Sequence, residues 1–100
     1  MRLTQIQTDI INQLARKHFG QGVTVYLFGS RVHDDKKGGD IDLLINHADE
    51  AVLTLEAKIR FLAELKALIG DRKIDIVFDN ENTRQKKNFY RSIIRQKVAL

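Results

Sequence analysis

Two aspartates, Asp40 and Asp42, stand one residue apart at the head of the apolar run Ile41-Asp42-Leu43-Leu44-Ile45. In a strand, alternate side chains share a face, so Asp40, Asp42 and Leu44 point one way and Ile41, Leu43 and Ile45 the other. Two carboxylates side by side repel by about 4 kcal/mol at about 4 Å and an effective dielectric of about 20. They need a cation, a shared proton or open water. A hard divalent ion with oxygen ligands is the economical answer, and Mg²⁺ characteristically takes one or two carboxylates plus substrate phosphates. Upstream, Gly29-Ser30 follows the β-branched and aromatic run Val23-Thr24-Val25-Tyr26-Leu27-Phe28. A glycine after a strand lets backbone approach a phosphate closely, and the N–H groups of the turn can face the anion. The stretch 28–45 therefore reads as the active site.

The elements that must hold it follow from pattern. Leu3, Ile6, Ile10, Ile11 and Leu14 recur at helical spacing, and Thr4 with Gln7 matches a capping box. This predicts a first helix over 4–19, ended by Gly20 or Gly22, with His18 at the favourable end of its dipole. Strands are predicted over 23–28 and 40–46, joined by a polar loop 29–39 that carries His33, Lys36 and Lys37. A second helix is predicted from Ala51 to Ile69. Its apolar face, widened by Leu53, Phe61 and Leu68, reads either as contact with another chain, in a homo- or hetero-oligomer, or as deep burial. Lys73 to Asp79 alternates as a third strand, with Ile74, Ile76 and Phe78 on one face and Asp75 turned the other way. From Thr83 the sequence becomes basic around Phe89, Ile93, Ile94 and Val98, predicting one last amphipathic helix. The order α-β-β-α-β-α implies an α/β (α+β) domain, a small mixed sheet covered by helices, spanning residues 1–100 as a single unit.

Composition narrows the setting. Cysteine is absent, which excludes disulfides, thiolate metal sites and cysteine catalysis and fits a reducing cytoplasm. No signal peptide or membrane-spanning run is expected. A net charge of +4 favours an anionic partner without choosing among nucleotide, nucleic acid and acidic protein.

Taken together, Gly29-Ser30, nine intervening residues, Asp40-Ile41-Asp42-Leu43 and a later strand bearing Asp75 resemble the nucleotidyltransferase superfamily that includes the palm of DNA polymerase beta. The likeness is nearest to its minimal members, the MNT proteins, which act as antitoxins beside HEPN-domain toxins. Gly39 before the first aspartate, and Val32-His33-Asp34-Asp35 after Gly-Ser-Arg, depart from the usual small polar residues. The resemblance implies the polymerase beta palm fold and Mg²⁺ ions, two in number, held by Asp40, Asp42 and Asp75, with these three as catalytic residues. It also implies nucleotide binding by Gly29, Ser30 and Arg31, and ATP as the substrate from which AMP passes to a hydroxyl. Relatives acting on small molecules or nucleic acids carry further domains to hold the acceptor. Here a partner protein, a HEPN-type toxin ribonuclease, is expected to bring it. Direct nucleic-acid binding by the basic last helix is the weaker expectation. The alternative is a binding module that neutralises its partner by occlusion, with the acidic cluster serving only as a cation site.

Overall fold

The computed structural model describes residues 3–29, 41–70 and 72–100. Along the chain run α1 (Gln5–Phe19), β1 (Thr24–Phe28), β2 (Ile41–Asn46), a 3₁₀ turn (Glu50–Val52), α2 (Leu55–Ile69), β3 (Ile74–Phe78), α3 (Glu81–Gln85), α4 (Lys87–Gln96) and β4 (Val98–Ala99). The sheet order is β3-β2-β1-β4. β1 lies antiparallel to β2 and to β4, whereas β2 and β3 are parallel. A parallel pair needs a crossover, and α2 supplies it. Among the described residues no helix is long and apolar enough to cross a membrane.

Alternation along the strands sorts side chains between two layers. Ile41, Leu43 and Ile45 join Val25 and Leu27 beneath α1 and α2, where Phe19 and Phe61 pack with ring centroids 5.4 Å apart. The opposite face carries Tyr26, Phe28, Leu44 and Val77, and there α4 inserts the single fully buried anchor Ile93. The capping box forms as predicted, with Thr4 Oγ1 accepting from the Gln7 N–H at 3.1 Å and Gln7 Oε1 accepting from the Thr4 N–H at 3.0 Å. Gly20 caps the end of α1.

Three expectations need correction. The second helix does not start at Ala51, because two good caps compete: the Asp49 side chain accepts from the Ala51 N–H and ends in a 3₁₀ turn, and Thr54 restarts the chain by accepting from Ala57. Leu53, between them, is buried in the core. Nor is α2 deeply buried all round: Phe61 and Leu65 are inside, while Leu55, Ile59 and Leu68 stay exposed. The last helix is two. Asn80 caps α3, the chain turns at Lys86, and α4 follows, so that Val98 belongs to β4 and Phe89 and Ile94 are half exposed instead of lining a buried stripe.

Candidate active site

Register brings the chemistry together. Asp42 pairs with Phe28 of β1 on one side and with Asp75 of β3 on the other. Residues opposite one another on adjacent strands share a face, and neighbouring strands run about 4.8 Å apart. Asp42 and Asp75 are therefore adjacent on the face that bears α4, Asp42 half-buried and Asp75 exposed. The face read from alternation for Asp42, Leu44 and Asp75 is the face found.

Gly29 completes this edge. It has a φ of +79°, a conformation that side chains rarely adopt, and a Cβ built there would overlap Oδ2 of Asp42 and lie 3.2 Å from its Cγ. Glycine at this point is thus what allows the turn to lie against the carboxylate. Its N–H donates to Oε1 of Gln96, at the end of α4, over 3.2 Å. Ser30, Arg31 and Asp40, and with them His33, Lys36 and Lys37, lie outside the described residues.

A cavity of about 530 Å³ wraps around the edge strand β3, lined by Asp42, Asp75, Phe28, Val77 and Phe89 on the α4 face and by Ile74, Ile76 and Lys58 of α2 on the other. Lys58, Phe89 and Gln96 escape the sequence reading. For Lys58 the signal was its place three residues before the buried Phe61, which turns it toward the sheet. Phe89 lies four residues before Ile93 and reads as core, but its ring is 44 % exposed at the cavity. Nothing local marks Gln96.

The donor set suits a hard cation. Two carboxylates on neighbouring strands supply oxygen ligands of the kind Mg²⁺ takes. Asp40 is the further ligand expected from the sequence.

The other end of β2 and β3 is built differently. Asp79 is almost fully buried and accepts from Asn46 Nδ2 at 3.0 Å and from Arg84 at 3.1 Å, while Arg84 also donates to Glu50 Oε2 at 2.7 Å. The hydrogen bond to Glu50 raises the Arg84 guanidinium further above its already high value. Burial, then the hydrogen bond to Asp79, pushes the Tyr90 phenol up. This cluster has its charges satisfied internally and ties α3 to the 3₁₀ turn. On the remote face, Lys17 and His18 share the Glu64 carboxylate at 2.8 and 2.9 Å, and these hydrogen bonds hold Glu64 below its ordinary value.

A four-stranded mixed sheet with helices packed on both faces is consistent with the fold of a polymerase beta-like nucleotidyltransferase. The model of the family described as polymerase beta, nucleotidyltransferase matches residues 9–100, and the chain belongs to that family. Its class of chemistry is nucleotidyl transfer. No curated protein sequence matches the chain.

Proposed function

We propose that the chain is a Mg²⁺-dependent protein adenylyltransferase that moves AMP from ATP to a hydroxyl on a partner protein, and that this partner is a HEPN-type toxin ribonuclease neutralised by the modification. The observation that carries the transfer reading is the register of Asp42 with Asp75 against the Gly29 turn. The antitoxin role rests on the resemblance of the Gly29-Ser30 and Asp40-x-Asp42 pattern to MNT proteins.

Asp42 and Asp75, with Asp40, would hold Mg²⁺, which when bound neutralises charge on the phosphates and favours the ionised form of an attacking hydroxyl. Gly29 brings backbone close enough for its N–H to serve a phosphate in place of Gln96, with Ser30 and Arg31 as further contacts. Lys58 adds a cation to the cavity wall, and Phe89 offers an aromatic face on which a purine stacks. The acceptor oxygen attacks the α-phosphorus, its proton passes to Asp75, and the bond from the α-phosphorus to the bridging oxygen breaks to release pyrophosphate.

The test is the intact mass of the adjacent gene's product after incubation with this chain, ATP and Mg²⁺, beside the variants Asp42→Asn and Asp75→Asn. Addition of AMP that both variants abolish is expected. No addition, with partner inhibition intact in the variants, would replace this reading with neutralisation by occlusion.

A further inference from the structure

The outward side of α4 has no role in the site just described. Lys87, Arg91 and Arg95 recur there at every fourth residue, about 6 Å apart along the axis, and α4 contains no acidic residue. All three are exposed, and none forms an ion pair among the described residues. Lys17, Arg60 and Arg84 each have a carboxylate, whereas Arg16, Lys58, Lys66 and Lys97 form no ion pair among the described residues either, so what sets α4 apart is the alignment of three cations on one helix face. Like charges at this spacing destabilise a helix, so the line carries a cost that no carboxylate among the described residues relieves. Beside it lies a hollow of about 300 Å³, formed by Tyr90 and Ile94 between the cations Arg84, Lys87 and Arg91. Ile94 is 40 % exposed. A second hollow, of about 290 Å³, follows Arg91 and Arg95 to Gln96, whose side chain touches Gly29.

We propose that this face of α4 docks an acidic amphipathic helix of a partner protein. Carboxylates one turn apart on that helix meet Lys87, Arg91 and Arg95, and an apolar side chain beside them fills the hollow at Ile94. A single-stranded nucleic acid fits less well. It would use the cations for its backbone but needs open aromatic faces for its bases, and the hollow offers one ring, Tyr90, itself half-buried beside Ile94. An aliphatic side chain set among the cations serves an apolar anchor. Because the second hollow ends at Gln96, whose Oε1 accepts from the Gly29 N–H beside Asp42, the docked protein is held near the aspartate pair. Its service as the acceptor rests on the transferase reading; the docking does not.

The experiment measures binding without nucleotide or Mg²⁺, so that it is independent of catalysis. Fluorescence anisotropy would follow a labelled helical peptide with glutamate at every fourth position flanked by leucine, the same peptide with lysine for glutamate, and a labelled oligouridylate. The glutamate peptide is expected to bind saturably and to weaken as salt is added. Lys87→Glu/Arg91→Glu/Arg95→Glu is expected to weaken it by about tenfold or more. Arg91→Ala and Ile94→Ser are milder variants that each lower affinity, with folding checked by circular dichroism. Asp75→Asn binds it as the parent does. Equal binding by the charge-reversed protein, tighter binding of oligouridylate, or no binding of the glutamate peptide overturns the proposal. Peptide binding beside a failed transfer assay would overturn only the transferase reading.

Discussion

Replacing Gly29 with alanine tests the site at its tightest point. The substitution carries two separable costs. A φ of +79° places a side chain in the left-handed region, at about 1–3 kcal/mol. With each kcal/mol worth about 4–8 °C in a domain of this size, the melting temperature should fall by roughly 5–20 °C. The second cost is local, because the new methyl overlaps Oδ2 of Asp42 and must push the carboxylate aside. A displacement near 1 Å at a reacting centre costs about 100-fold in rate. Gly20→Ala separates the two: Gly20 has a φ of +99° but nothing within 4 Å of the added Cβ. Both variants should melt early, yet only Gly29→Ala should lose AMP transfer when assayed well below its melting temperature. Equal transfer by Gly29→Ala and the parent, or equal losses in the two variants, would refute the assignment of Gly29 to the site.

Other outcomes follow from the same geometry. Gln96→Ala removes the side chain that occupies the Gly29 N–H, so calorimetry should find ATP bound about 2–10-fold more tightly, and weaker binding would show that Gln96 supports the nucleotide. Phe61→Ala empties a fully buried position between Phe19 and His18 and should cost about 3–5 kcal/mol in denaturant unfolding; a loss under about 1 kcal/mol would mean that the α1–α2 layer repacks. Glu64 is held below its ordinary value of 4.5 by its hydrogen bonds to Lys17 and His18. Its stabilising contribution is therefore present above pH 4.5 and is lost as pH falls through the lower folded value. Melting temperatures of Glu64→Gln and the parent should differ near neutrality and converge in acid, and parallel curves would sink the argument.

Sequence periodicity carried the faces of the sheet because one layer is packed and the other is not. Ile41, Leu43 and Ile45 had to be inside, which left Asp42 beside Leu44 and sent Asp75 to the same side as Asp42. The capping box of α1 was legible because it is a contact within three residues. What stayed hidden was long-range. β4 is only two residues, too short to alternate, and exists because β1 offers it an edge. The exposure of Phe89 and Ile94 depends on how much of the sheet α4 covers. With Asp42 and Asp75 on that face, its apolar part accepts one deep anchor, Ile93. The Gln96 contact joins residues 67 apart and leaves no local trace. Ser30, Arg31 and Asp40, the remaining members of the sequence-derived site, lie outside the described residues.

The place of α4 and β4 also fixes an order of assembly during synthesis. β1, β2 and β3, with the α1–α2 layer, can pair and pack as soon as residue 78 leaves the ribosome. At that stage Phe28 and Leu44 still lie bare on the opposite face, since their cover, Ile93, comes from residues made later. The Gly29 turn receives Gln96 later still, and β4 pairs with β1 after that. A nascent chain stalled before residue 87 therefore displays the aspartate pair on an uncovered apolar sheet, a form that chaperones and proteases recognise. The cavity lined by Asp42 and Asp75 gains its Phe89 wall only when synthesis has passed α4.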